Sequence, residues 1–94
     1  MANKYLLGID VGTTRIKAVL FNIHGRQVFS SSRDTRLIKS GSCSEVDMDE
    51  LWEDVAGTIK SVILKMAPES KILAAAVSGQ GEGLWLIDKD GKPI

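Results

Sequence analysis

Ninety-four residues, 44% of them hydrophobic, allow one small core, and twelve basic against twelve acidic side chains leave no electrostatic footprint for a nucleic-acid partner. The single Cys43 excludes an internal disulfide and lacks the companions of a zinc site, so a reducing compartment is the simplest setting. Asp10 interrupts the apolar residues after Lys4 before a signal-peptide core or a membrane span could form. The reading is a soluble, cytoplasmic protein with no membrane partner.

The first element is a strand from about Lys4 to Ile9, built on the apolar run Tyr5-Leu6-Leu7-Gly8-Ile9. The second runs from about Arg15 to Asn22 and is rich in branched residues. Between them lies Asp10-Val11-Gly12-Thr13-Thr14, a carboxylate, a glycine and two hydroxyls in a strand-to-strand loop. Such a loop exposes backbone N–H groups, and Gly12 lets the backbone approach a ligand closely or take up φ > 0. Phosphate oxygens suit it: Thr13 and Thr14 donate hydroxyl hydrogen bonds, Lys17 supplies a positive charge if its strand face points inward, and Asp10 can hold a hydrated magnesium ion. The same residues also suit a tight hairpin in which Asp10 accepts local backbone hydrogen bonds. The spacings of a Walker A loop and of a dinucleotide fingerprint are both absent.

Ile23-His24-Gly25 turns the chain into a third strand beginning at Arg26, which completes an antiparallel meander. The polar stretch from Ser30 to Ser44 extends that strand before becoming a loop, with Cys43 an ordinary loop residue. Asp47 caps a helix, Glu50 forms a capping-box-like pair with it, and Leu51, Trp52, Val55, Ile59, Val62, Ile63 and Met66 form one apolar face closed by Pro68. Ile72 to Val77 is short and unpatterned, as in a strand buried on both faces. It ends at Ser78-Gly79-Gln80-Gly81-Glu82-Gly83. Leu84 to Ile87 reads as a last strand, with Trp85, inside this apolar run, a packing residue rather than a stacking platform, and Asp88-Lys89-Asp90-Gly91 as its turn. This turn and Asn22-Ile23-His24-Gly25 share a pattern that fits a type I turn ending in a positive-φ glycine, which makes His24 a solvated turn residue.

Taken together, Gly8 to Lys17 and Ser78 to Gly83 make the entire chain resemble the N-terminal part of the FGGY carbohydrate kinases, the glycerol, xylulose and erythritol kinase family. The resemblance implies an α/β, ribonuclease-H-like, actin-type mixed sheet of β-β-β-α-β-β order, with residues 1–94 the opening portion of the first actin-like domain and the rest of that domain and a second domain absent. It implies ATP and Mg2+ as cofactors, with Asp10 orienting the metal through water and Gly12, Thr13 and Thr14 facing the transferred γ-phosphate. Lys17 matches a position usually Arg or Lys, whereas Arg15 departs from the small or polar residue frequent in relatives. Gln80, Gly81 and Glu82 are implied to form the sugar or polyol side of the cleft. Glycerol kinases carry Arg-Glu, and xylulose kinases Met-His, at the positions of Gly81-Glu82, and the run from Gln80 to Trp85 looks most like erythritol kinases. The family's base is an aspartate far beyond Ile94, so no catalytic residue is assigned in this chain and kinase activity is not expected of it alone. The resemblance leaves the oligomeric state open, a homodimer of the parent included. A non-catalytic actin-like nucleotide-binding or interaction module is the alternative.

Overall fold

The computed structural model describes residues 3–79 and 84–94. β1 (Lys4–Val11), β2 (Arg15–Asn22) and β3 (Gln27–Asp34) form the expected meander. A short hairpin, β4 (Ile38–Ser40) and β5 (Cys43–Glu45), precedes α1 (Met48–Ile63), and β6 (Lys71–Gly79) follows it. The main sheet has the order β3-β2-β1-β6, antiparallel across β1–β2 and β2–β3 and parallel across β1–β6. The α/β mixed-sheet expectation therefore holds.

Alternation along β1 and β2 divides the sheet into two faces. Tyr5, Leu7 and Ile9 of β1 meet Ala18 and Leu20 of β2 and Val62 of α1 in the core, with Val55, Ile59, Ile63 and Met66 packed against it. Asp47 caps α1 by accepting from the N–H groups of Asp49 (2.9 Å) and Glu50 (3.1 Å). The capping box is only half formed, because the Glu50 carboxylate lies 3.6 Å from Arg36. The helix ends at Ile63, before Met66, as i→i+3 bonds from Lys65 to Val62 and from Met66 to Ile63 tighten the last turn.

The structure departs from the sequence expectations at several places. β1 continues two residues past Ile9 because Asp10 and Val11 pair with Lys17 and Ile16, so Asp10 is a strand residue and the loop is only Gly12, Thr13 and Thr14. The expected extension of β3 into the serines is present and runs to Asp34 opposite Arg15, since an edge strand tolerates polar residues. Cys43 sits in β5, across a two-residue turn in which Gly41 has φ 61°. Trp52, one residue round the helix from Leu51, is 69% exposed and does not share the core-facing stripe. β6 is exposed along nearly its whole length, because α1 lies across β2 and β3, and among the described residues only Ile72 of β6 packs against the core.

Leu84 to Ile87 adds no strand to the sheet. Ile87 makes one isolated bridge to Pro93, and the Asp88–Gly91 turn folds residues 84–94 back on themselves, a pairing too short to continue as a ladder. Both predicted turn glycines have positive φ, 83° at Gly25 and 79° at Gly91.

Candidate phosphate and acceptor site

Two of the sheet's strands deliver the site. β1 and β6 run parallel with Val11 opposite Gly79, so the Gly12–Thr14 loop begins beside the carboxyl end of β6. Carboxyl ends of adjacent parallel strands are the usual place for ligands in open α/β sheets.

The loop is held by three hydrogen bonds. Gly12 N–H donates to the Arg15 carbonyl (2.9 Å), closing the hairpin, while Thr35 donates its N–H to Thr14 O (2.9 Å) and its hydroxyl to Gly12 O (3.0 Å). Gly12 does not adopt φ > 0, and its N–H is engaged inside the hairpin. Glycine is required for another reason: a Cβ there would lie 2.8 Å from the Arg15 carbonyl oxygen. The hairpin reading is therefore correct for the backbone, yet it leaves the Thr13 and Thr14 side chains exposed and without a hydrogen-bond partner among the described residues. Nor does Asp10 accept a local backbone bond from its side chain there.

Asp10 and Lys17 stand directly opposite each other on the sheet face away from α1, and Ser78 pairs with Asp10 from β6. All three line one open groove of about 320 Å³ whose remaining walls, including Gly8, Val19, Phe21 and Ala76, are apolar. Among the described residues Asp10 and Lys17 form no ion pair, although they are cross-strand neighbours. Arg15 instead lies 3.6 Å from Asp34. No group of three potential metal-ligating side chains exists among the described residues. A single carboxylate without an ion-pair partner among the described residues fits a magnesium ion that keeps most of its shell as water and phosphate oxygens.

Thr13 opens onto a second cleft, of about 190 Å³, on the other side of the loop. Val11, Gly12, Thr35, Val46, Leu51, Gly79 and Trp85 complete its lining. The sequence-predicted residues thus divide, with Asp10 and Lys17 lining the groove on one face of the sheet and Gly12 and Thr13 lining the cleft. Gln80, Gly81 and Glu82 lie outside the described residues.

Thr35 escaped the sequence reading. The continuation of β3 to Asp34 brings it beside the loop, and the polar composition alone did not show where that strand ends. Arg36, next in sequence, fastens this segment to α1: its Nε donates to Asp54 Oδ2 (2.8 Å) and its Nη2 to Asp54 Oδ1 (3.2 Å). The hydrogen bonding to Asp54 raises the Arg36 pKa, against a smaller desolvation effect, with help from the charges of Asp54, Glu50 and Glu53. Its charge is therefore fixed throughout the neutral range.

The strand order defines an α/β mixed-sheet segment, and comparison with known proteins gives its family. Residues 5–94 match the N-terminal domain of the FGGY family of carbohydrate kinases, and the chain belongs to that family. It is 35% identical over 91 residues to an erythritol kinase of Brucella abortus, covering 95% of this chain and 18% of that protein. With a probable L-xylulose kinase of Haemophilus influenzae it shares 39% identity over 93 residues, 96% of this chain and 19% of the relative. The crystal structure of a gluconate kinase from Lactobacillus acidophilus superposes with a TM-score of 0.90 at 32% identity, over 99% of this chain and 19% of that one. The chain spans about a fifth of the length of these relatives. Among the described residues, no helix is long and apolar enough to cross a membrane.

Proposed function

We propose that this chain forms the opening portion of the first actin-like domain of a cytoplasmic kinase that phosphorylates a hydroxyl of a sugar or polyol with ATP. The observation that carries the reading is the pairing of Val11 with Gly79, which sets the start of the Gly12–Thr14 loop beside the carboxyl end of β6. Membership of the FGGY family supports the chemistry.

In this reading Thr13 and Thr14 hold the transferred phosphate by their hydroxyls, and Lys17 offsets its charge from the neighbouring strand. Asp10 orients the water shell of Mg2+ without acting as the base. Bound MgATP supplies the phosphoryl group and part of the charge neutralisation. Glu82 accepts hydrogen bonds from two adjacent hydroxyls of the acceptor, with Gln80 and Gly81 beside it. The carboxylate that takes the acceptor's proton is supplied from outside these residues.

The test is a panel of glycerol, erythritol, xylulose, ribulose and gluconate, each with MgATP, on the intact protein and on its Glu82→Ala variant. Phosphorylation of one acceptor by the wild type is expected, with acceptor binding lost and ATP binding retained in the variant. Unchanged acceptor affinity in Glu82→Ala refutes that residue's role. ATP binding without turnover of any acceptor would favour the non-catalytic nucleotide-binding module.

A further inference from the structure

Trp85 is six residues beyond the end of β6 and belongs to no sheet strand. Its position is set by the folded-back terminal segment, in which Ile94 N–H donates to Leu86 O (3.0 Å) and Asp88 N–H to Lys92 O (2.7 Å). The Asp88 carboxylate secures the turn by accepting from the N–H groups of Asp90 (2.8 Å) and Lys92 (2.9 Å). This places the indole at the wall of the cleft that Thr13 opens onto.

A tryptophan serving only to fill the core would be largely covered, but Trp85 is 44% exposed and stands apart from the Tyr5, Leu7, Leu20 and Val62 cluster. Among the described residues its indole N–H has no acceptor, a state suited to an aromatic with one face against protein and one edge toward a ligand. Val46 and Leu51 make the adjoining walls apolar, and the hydroxyls of Thr13 and Thr35 supply the polar side. Trp52 lies outside that lining.

A polyol or sugar has the matching character, since its C–H groups present an apolar surface between hydroxyls. We infer that Trp85 is a specificity-determining residue: its indole forms the wall against which the carbon chain of the acceptor lies while Thr13 faces the phosphate to be transferred. The inference rests on the kinase reading above and adds to it the residue that selects the acceptor. Apolar walls with a few placed polar groups are the usual composition of such pockets.

Steady-state kinetics and tryptophan fluorescence on the intact protein test it, using whichever acceptor of the panel the wild type phosphorylates. Trp85→Ala is expected to raise the KM for that acceptor about tenfold and to leave kcat and the KM for ATP within about twofold, the pattern of lost binding that is equal in ground and transition states. Trp85→Phe, which keeps an aromatic face, is expected to restore the acceptor KM to within about threefold of wild type. Titrating the acceptor without nucleotide should change wild-type tryptophan emission, and that change should vanish in Trp85→Phe. An unaltered acceptor KM in Trp85→Ala overturns the role of Trp85 and leaves the kinase reading standing. Should the alanine variant fail to fold, an emission change that persists undiminished in Trp85→Phe overturns it instead. A wild type that phosphorylates no acceptor overturns the kinase reading, and this inference with it.

Discussion

Gly12→Ala tests the geometry of the phosphate loop most directly. The new Cβ would lie 2.8 Å from the Arg15 carbonyl oxygen, the same oxygen that accepts the hairpin-closing bond from Gly12 N–H at 2.9 Å. Relieving the contact to about 3.3 Å, the lower end of ordinary C···O approach, moves backbone atoms apart by about 0.5 Å and stretches that bond toward its limit. Losing one backbone hydrogen bond costs about 1 kcal/mol, and the residual crowding adds about 1–2 kcal/mol. The smaller conformational freedom of unfolded alanine returns about 0.4–1 kcal/mol, which leaves a net loss of about 1–2.6 kcal/mol. Urea denaturation of the intact protein, followed by circular dichroism, checks this value: with a slope of about 2 kcal/mol per molar, the midpoint falls by about 0.5–1.3 M. Thr13 and Thr14 move with the loop, so the KM for ATP should rise in the same variant more than the KM for the acceptor. A midpoint within about 0.1 M of wild type, with an unchanged KM for ATP, would refute the claim that the Arg15 carbonyl demands glycine here.

Gly57→Ala should behave oppositely, although its Cβ also meets an atom at 2.8 Å, because that atom is the Arg33 guanidinium nitrogen and can swing into solvent. A gain of up to about 1 kcal/mol in helix propensity outweighs the partly exposed Arg33–Asp54 pair, so the urea midpoint should stay level or rise. Thr35→Val removes the hydroxyl bond to Gly12 O while keeping the side chain's shape. It should cost about 1 kcal/mol by the same denaturation and weaken ATP binding measured calorimetrically; full retention of both would dismiss Thr35 as a support of the loop. Leu20→Ala empties a fully buried position between β1 and α1 and should destabilise by about 2–5 kcal/mol, enough to show as reduced soluble yield and a lower melting temperature.

Local chemistry explains which features were legible in the sequence. Asn22-Ile23-His24-Gly25 and Asp88 to Gly91 announce their turns because a glycine with positive φ ends each one. Asp47 announces the helix through its cap, and Val55, Ile59 and Val62 announce the face that packs. What stayed hidden depends on a distant partner. Asp10 belongs to β1 only because Lys17 lies opposite it, and the extension of β3 stops at Asp34 because its partner β2 begins at Arg15. The alanine run of β6 promised a doubly covered strand, yet α1 sits over β2 and β3 instead. The loop motif presented the candidate phosphate residues as a group, but the local sequence does not show that Asp10 and Lys17 line a different groove from the cleft where Thr13, Thr35 and Trp85 meet.

The parallel pairing of β1 with β6 also orders events in time. The β1–β2–β3 meander closes through neighbours in sequence, whereas Lys4 must find Lys71 across almost the whole chain. Loop closure over that span is slow relative to hairpin formation, so the meander and α1 should assemble while the free side of β1 still awaits its partner. During synthesis that interval lasts until residue 79 has left the ribosome, and β1 then presents an unpaired edge to other nascent chains. Pulse-labelled hydrogen exchange should find β2 amides protected before those of β6, and simultaneous protection would contradict this order. A chaperone that engages this protein early would have its clearest target in β1.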